Sequence, residues 1–334
     1  MLNKSTLKNN KTPSIPILGI RELGVAGLIL LLLFIAFLFE PRILSPMSLR
    51  NMLQWFPIIA IVAMGEMMII ITRGIDVSVG SNLCFAGLAA GIILRDNPGF
   101  NPYHGIIVSI LIGACLGLLN GIIIAFLKIP SIVVTLAGLS AYRGMAFLLA
   151  NGSEVSAHQI PKTIMNISRI GPLNQSLFTY LFVLMLFIGL ITYIILNHTR
   201  IGRNVYVYGS NPDAALIRGI PIKKIILFMY TYTGALAGLA GILYMSRFGF
   251  VNPGQTGVNF EMMVISAVVI GGVSVYGGAG NIFGVLLGSF FLGVINISLS
   301  TLGLPHLWQD AIYGFIIIFT VIIDTLIKKF EDAK

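Results

Sequence analysis

The sequence has few charged residues and few cysteines, and both shortages narrow the class of protein. Only 10% of its 334 residues are charged, against about 25% in an average soluble domain. Both cysteines, Cys84 and Cys115, lie within apolar runs, where cysteine behaves as a small hydrophobic residue and carries no information on redox compartment. A soluble globular protein is therefore excluded.

Residue patterns typical of catalysis are also missing. The histidines are scattered and show no metal-ligand spacing; they are His104, His158, His198 and His306. The sequence shows no nucleophilic side chain paired with a residue that could act as its base. The sequence therefore predicts no active site, no metal and no cofactor held by this chain.

Apolar runs are what the sequence has in abundance. Hydrophobic residues make up 57% of the chain and the mean hydropathy is +0.95, and a membrane-spanning helix needs about 20 apolar residues. We therefore predict an all-α, polytopic membrane protein with about ten transmembrane helices. The predicted spans are 22–39, 52–72, 78–94, 104–127, 131–150, 177–196, 225–245, 261–276, 281–300 and 310–327. Spans three and eight are the shortest.

Basic residues set the predicted orientation. With the amino terminus inside, 14 of the 21 Lys and Arg residues fall in inside segments and six in outside segments, as the positive-inside rule requires. Both termini are therefore expected in the cytoplasm. We divide the chain into a cytoplasmic segment (1–21), one transmembrane domain (22–327) and a cytoplasmic tail (328–334). The longest outside loop, 151–176, has room for a small helix.

The longest inside loop, 197–224, contains the stretch "SNPDAALIRGIP" at 210–221. Ser210 or Asn211 can cap a helix there, Pro212 suits its first position and Gly219 its end. The sequence predicts a short, independently capped helix built from Asn211, Pro212, Asp213, Ala214, Ala215, Arg218 and Gly219. Two interpretations are open: a connector, or a docking element whose small alanines permit close approach.

A second stretch, "TRGIDVSVGS" at 72–81, places a carboxylate at the inner end of a span. We interpret Asp76 as the cap of span three, accepting from the amide of Ser78 or Val79. Arg73 is a candidate ion-pair partner. The structural motif comprises Arg73, Gly74, Asp76, Ser78 and Gly80; the alternative is a direct role in moving a substrate.

Glycines recur in "IGGVSVYGGAGNIFGVLLG" at 270–288. No Lys-Ser or Lys-Thr follows them, so the segment has no phosphate-loop signature. Their spacing is typical of close helix packing in membranes, and we assign that role to Gly277, Gly280, Gly284 and Gly288.

Polar residues inside the predicted spans include Glu66, Asn82, Asn120 and Thr135. They are candidates for lining a substrate pathway. The alternative, hydrogen bonding between helices, suits most of them, and Glu66 has the greatest need of a partner or water.

Three stretches together resemble the permease subunits of bacterial ABC importers for monosaccharides: "TRGIDVSVGSNLCFAG", "GRNVYVYGSNPDAALIRGI" and "VISAVVIGGVSVYGGAGNIFGVLLG". The likeness extends over about 22–327. It implies an importer permease bundle in the cytoplasmic membrane that translocates a sugar-like molecule and catalyses no reaction. The helix at about 211–218 would be the coupling helix.

The resemblance also implies partners. They are a cytoplasmic ATPase that binds ATP and Mg, a second permease subunit, identical or homologous, and an extracytoplasmic sugar-binding protein. Rhamnose and autoinducer-2 permeases are the most similar subgroup, with ribose permeases next. The alternative function is an ion-coupled secondary transporter, which would need paired intramembrane acids or unwound helices.

Overall fold

A computed structural model describes residues 20–172, 177–305 and 307–332, and most of these residues are helical. The α-helices in these ranges are α1 Ile20–Phe39, α2 Pro46–Ile71, α3 Val79–Asp96, α4 Pro102–Leu127, α5 Ser131–Ala150, α6 Lys162–Arg169, α7 Tyr180–His198, α8 Arg200–Ser210, α9 Pro212–Ile217, α10 Ile222–Phe248, α11 Phe260–Ile270, α12 Ile282–Thr301 and α13 Leu307–Asp332. Two short strands, β1 Val155–Ser156 and β2 Phe250–Val251, pair antiparallel.

The predicted all-α membrane architecture is confirmed. Within the described ranges, eight helices are long and apolar enough to cross a membrane: α1 to α5, α7, α10 and α12. The other two predicted spans coincide with shorter apolar helices, Phe260–Ile270 and Leu307–Thr320. Because α11 has only 11 residues, it is too short to cross a bilayer alone.

Some predicted boundaries differ from those of the structure. Helix α2 begins at Pro46 rather than at 52, because Ser45 caps it by accepting from the amide of Ser48. Helix α13 continues to Asp332, beyond the predicted span end at 327. Most of the predicted amino-terminal segment and His306 lie outside the described residues.

Helix α2 lies at the centre of the bundle, packed against α7, α10, α11 and α12. In the most apolar 18-residue stretch of α2, 94% of the residues are buried. In the corresponding stretches of α1, α4, α5 and α7 the buried share is 22–33%. Those four helices carry many of the exposed leucine, isoleucine and phenylalanine side chains, which suits contact with lipid. The bundle therefore has a buried inner helix and, at its periphery, helices with an apolar outer face.

Glycines allow α4 and α10 to approach closely. A methyl group added at Gly113 or Gly117 would collide with backbone carbonyls of α10, at Gly234 and Tyr230 respectively. Small residues at such a crossing let two backbones touch. Helix α10 packs against α3 in the same way, since a methyl group at Gly241 would collide with the carbonyl of Leu83.

The predicted outside loop contains the small helix that its length allowed. Helix α6 packs against the end of α10, where Ser168 Oγ donates to the carbonyl oxygen of Ser246 at 2.7 Å. Gln54 Nε2 of α2 donates to the carbonyl oxygen of Ser168 at 2.7 Å. These contacts fasten the loop to the bundle.

Candidate functional site

The short helix predicted in the inside loop is α9, and its ends follow from local chemistry. Asn211 Oδ1 accepts from the amide of Ala214 at 2.9 Å, and Pro212 occupies the first turn. At the other end Gly219 has φ of 71°, and the amide of Ile220 donates to the carbonyl of Ala215 at 3.1 Å. Both ends of α9 are therefore defined by residues within its own loop.

The exposed face of α9 carries two large apolar side chains beside the exposed Asp213. Ala215 is fully buried against the protein, whereas Leu216 is 69% exposed and Ile217 is 86% exposed. Ala215 therefore cannot provide the close approach expected of it, because its side chain faces inward. Exposed apolar side chains on a polar loop are typical of a contact surface, so Leu216 and Ile217 form the candidate docking face.

Helix α8, which precedes α9, was absent from the sequence prediction. Thr199 Oγ1 caps it by accepting from the amide of Gly202 at 3.2 Å. A methyl group at Gly202 would collide with the carbonyls of Ile195 and Leu196, so glycine permits the sharp change of direction from α7. Thr199, a residue type that favours helix starts, was the available signal in the sequence.

Three chain segments meet beside α9, and we name this contact the three-way junction. It comprises the end of α2 (71–73), the end of α8 (206–210) and the glycine turn before α12 (277–280). Arg73 Nε donates to the carbonyl of Gly209, and Nη2 to the carbonyl of Ser210, both at 2.9 Å. The amide of Gly278 donates to the carbonyl of Ile71 at 2.9 Å.

A tyrosine closes the same junction. Tyr206 OH donates to the carbonyl of Gly280 at 2.9 Å. Burial raises the pKa of Tyr206 to about 12, so its hydroxyl keeps its proton and remains a donor at neutral pH. Helix α8 is thus bonded both to α2 and to the turn before α12.

The junction corrects two expectations. Arg73 was a candidate ion-pair partner of Asp76, but its guanidinium is directed to the carbonyls of α8. Gly277, with φ of 85°, and Gly280 lie in the turn before α12, so they are not on the helix face assigned to them. That face consists of Gly284 and Gly288, where an added methyl would collide with the carbonyls of Gly271 and Ala267 on or beside α11.

A buried polar cluster lies at the link between α2 and α3; we define it as Glu66, Asp76, Ser78, Asn120 and Tyr142. Asp76 Oδ1 accepts from the amide of Ser78 at 2.9 Å and from Ser78 Oγ at 2.6 Å. Glu66 Oε1 accepts from the amide of Asp76 at 2.9 Å. Asp76 therefore accepts the predicted hydrogen bond from the Ser78 amide. The prediction that it caps α3 is wrong, because Ser78 occupies the cap position and no side chain caps the helix.

Asn120 joins this cluster to two more helices. Its Nδ2 donates to Ser78 Oγ at 2.9 Å, and its Oδ1 accepts from Tyr142 OH at 2.7 Å. The chain of bonds runs from α2 through the link to α4 and α5. Tyr142 was missed from the sequence, because a tyrosine within an apolar helix gives no sign of its partner.

The remaining predicted residues surround the cluster. Thr135 Oγ1 donates to the carbonyl of Ile75 at 3.2 Å, and Asn82 Nδ2 donates to the carbonyl of Gly113 at 3.1 Å. A methyl group at Gly80 would collide with the carbonyl of Gly257, and Gly74 lies against Ile69 and Tyr230. All four candidate pathway residues are buried at 2% exposure or less and bond to other parts of this chain.

A further polar anchor lies toward the predicted outer side. Arg143 of α5 donates to the carbonyls of Pro253 at 2.8 Å, Thr256 at 2.6 Å and Gly257 at 2.9 Å. Its guanidinium thereby shapes the loop between β2 and α11. Among the described residues no three His, Cys, Asp or Glu side chains form a group that could hold a metal ion.

Comparisons with known proteins point to transport. A family model described as "Branched-chain amino acid transport system / permease component" matches residues 48–321. The autoinducer 2 import system permease protein LsrC of Photorhabdus luminescens is 40% identical over 268 residues, 80% of this chain and 78% of that protein.

Two further relatives have the same name. The protein from Enterobacter sp. (strain 638) is 34% identical over 314 residues, 92% of this chain and 88% of its own length. The protein from Escherichia coli O157:H7 is 33% identical over 304 residues, 91% and 86% of the two chains. No solved structure matches the chain.

Proposed function

The chain belongs to this family of transport-system permease components, and from that premise we propose that it translocates a sugar-like molecule as the membrane subunit of an ABC importer. The favoured cargo is of the autoinducer-2 type, because three relatives at 33–40% identity carry that name. A rhamnose-type and then a ribose-type sugar are the next candidates.

The observation that carries the proposal is the docking face of α9. A capped helix outside the membrane bundle exposes Leu216 and Ile217, although the loop around it is polar and basic. An apolar surface of this kind is stabilised by a protein partner. We propose that the partner is the importer's ATPase, which seats α9 as a coupling helix.

The energy source then lies in the partner. The ATPase binds ATP and Mg, and this chain holds no cofactor and catalyses no reaction. ATP-driven movement of the ATPase is transmitted to α9 and from there to α8, which continues from α7. A second permease subunit, identical or homologous, completes the pathway.

The proposed orientation places α9 and both termini in the cytoplasm of the bacterial inner membrane. The opposite end, with α6 and the loop held by Arg143, then faces the extracytoplasmic sugar-binding protein. The fastening of α6 by Ser168 and Gln54 supports this assignment, because a docking surface benefits from being preorganised.

Capture of the ATPase encoded beside the permease gene tests the proposal. We expect Ile217→Asp to weaken capture roughly thirtyfold, as for an interface hot spot of about 2 kcal/mol. Val258→Asp is the matched control, since Val258 is an exposed apolar residue at the predicted outer end and should leave capture unchanged.

Two results would contradict the proposal. If Ile217→Asp retained full capture, the contact would lie elsewhere on the permease. If the wild-type chain captured no ATPase and took up its cargo only with an ion gradient, the secondary-transporter alternative would replace the importer.

A further inference from the structure

We propose that Arg73 is a positioning residue that couples α9 to the buried polar cluster, so that a movement of α9 displaces the link between α2 and α3. This inference rests on the proposed function of α9 and adds the route inside the permease. The route runs from α9 through the end of α8 to Arg73, and from Arg73 along the link to Asp76.

The first step of the argument is the position of the guanidinium. Gly209 and Ser210, whose carbonyls accept from Arg73, are the last residues of α8, and Asn211 begins α9 directly after them. Carbonyls in the last turn of a helix lack partners within the helix and favour a cation. The planar guanidinium holds both carbonyls with donors in a fixed fork, whereas the three donors of an ammonium group rotate.

The second step is the backbone of Arg73. It ends α2 in a left-handed conformation with φ of 64°, and the amide of Gly74 donates to the carbonyl of Ile69 at 3.0 Å. Glycine is the usual residue at this helix-ending position, because a Cβ is unfavourable there. An arginine in a strained conformation is consistent with a role for its side chain.

The third step is the tight fit around the side chain. A methyl group at Gly277 would approach Arg73 Cγ to 2.7 Å, and a methyl group at Gly209 would collide with the carbonyl of Ile71. Because the three segments of the junction are in backbone contact, α8 has little room to move without displacing Arg73.

The fourth step is the short distance along the chain to the cluster. Only two residues separate Arg73 from Asp76, whose amide is bonded to Glu66 and whose carboxylate is bonded to Ser78. Ser78 in turn accepts from Asn120 on α4. A displaced link therefore moves the start of α3 relative to α4 and α5, where the polar residues meet.

The test measures hydrogen–deuterium exchange on the full chain in lipid nanodiscs, without ATPase. Ala215→Pro distorts α9 by removing the bond from the Ala215 amide to the Asn211 carbonyl. In the wild-type background we expect this change to accelerate exchange at 72–82 by about threefold or more, within the range of measured site-to-site couplings.

Arg73→Gly removes the side chain but suits the backbone conformation, so the variant should fold. In that background we expect Ala215→Pro to have no further effect on exchange at 72–82. Arg203→Gln is the matched control, because Arg203 lies exposed on α8, and it should retain the wild-type response. The inference fails if the response persists without Arg73 or is absent from the wild type.

Transport gives a second readout. Arg73→Gly should still capture the ATPase within about twofold but lose roughly tenfold in uptake, in line with ordinary allosteric couplings, and Arg73→Lys should be intermediate. Equal losses of capture and uptake would reduce Arg73 to a docking residue. Absence of capture by the wild type would overturn the proposed function, while the exchange experiment would still decide the role of Arg73.

Discussion

The buried polar cluster and helix α9 reverse the usual distribution of side chains in opposite ways. Glu66 and Asp76 are carboxylates with 0% and 2% exposure inside an apolar bundle, whereas Leu216 and Ile217 are apolar and 69% and 86% exposed on a polar loop. Either arrangement costs free energy when nothing compensates it. The comparison shows where this chain supplies its own partners and where it needs another molecule.

Inside the bundle much of the compensation comes from this chain. The carboxylates accept from a backbone amide and from Ser78, and the cluster extends to Asn120 and Tyr142. On α9 the backbone ends are satisfied but the apolar face is not covered by the described residues. We therefore expect substitutions in the first region to change stability and substitutions in the second to change partner binding.

The largest expected effect is on packing inside the bundle, at the crossing of α4 and α10. Gly113→Ala places a methyl group against the carbonyl of Gly234, so we expect the permease to lose about 1–3 kcal/mol of stability. Thermal unfolding in detergent measures the change. Gly144→Ala is the control, because open space surrounds Gly144, and it should be neutral or gain up to about 1 kcal/mol. The prediction would be contradicted if Gly113→Ala and the wild-type permease unfolded at the same temperature.

Asp76→Ala should have the next largest effect. It removes the acceptor for both hydrogen bonds from Ser78, which corresponds to about 0.5–1.5 kcal/mol for each lost hydrogen bond. We expect less permease in the membrane with cargo preference unchanged, measured by quantitative blotting and competition uptake. Asp76→Asn keeps an oxygen acceptor and should restore the amount. Normal amounts of the alanine variant with altered selectivity would assign Asp76 a direct role in transport.

Asn211→Ala should have the smallest effect and should act on α9 alone. It removes the acceptor for the Ala214 amide, about 1 kcal/mol of helix stability, so ATPase capture should weaken roughly fivefold. The unfolding temperature of the permease should not change. Asn101→Ala removes the corresponding cap of α4 and should leave capture intact. If Asn101→Ala lowered ATPase capture as much as Asn211→Ala does, general destabilisation would explain both results.

The sequence predicted those features that depend on neighbouring residues. Apolar runs located the long helices, and Asn211, Pro212 and Gly219 defined the ends of α9, because caps and breakers act within a few residues. The hydrogen bond from the Ser78 amide to the Asp76 carboxylate spans two residues and was predicted for the same reason. Helix α8 is amphipathic and partly polar, so a search for apolar runs passed over it.

Features that join distant residues were beyond prediction. Asn120 and Ser78 are 42 residues apart, and Arg73 and Ser210 are 137 residues apart. A single sequence gives the donor or acceptor capacity of each side chain but not its neighbour. Gly280 illustrates the same limit, since its spacing from Gly284 suggested a helix face, while Asn281 starts the helix after it.

The burial of α2 also has a consequence for biosynthesis. Helices α10 and α12 cover much of α2, yet α10 begins at Ile222 and α2 ends at Ile71. The ribosome therefore delivers α2 to the insertion machinery well before the helices that will surround it are made. Its apolar sequence allows α2 to remain in lipid or against the insertion machinery until those helices are made. Assembly of this permease thus ends with late helices closing around an early one.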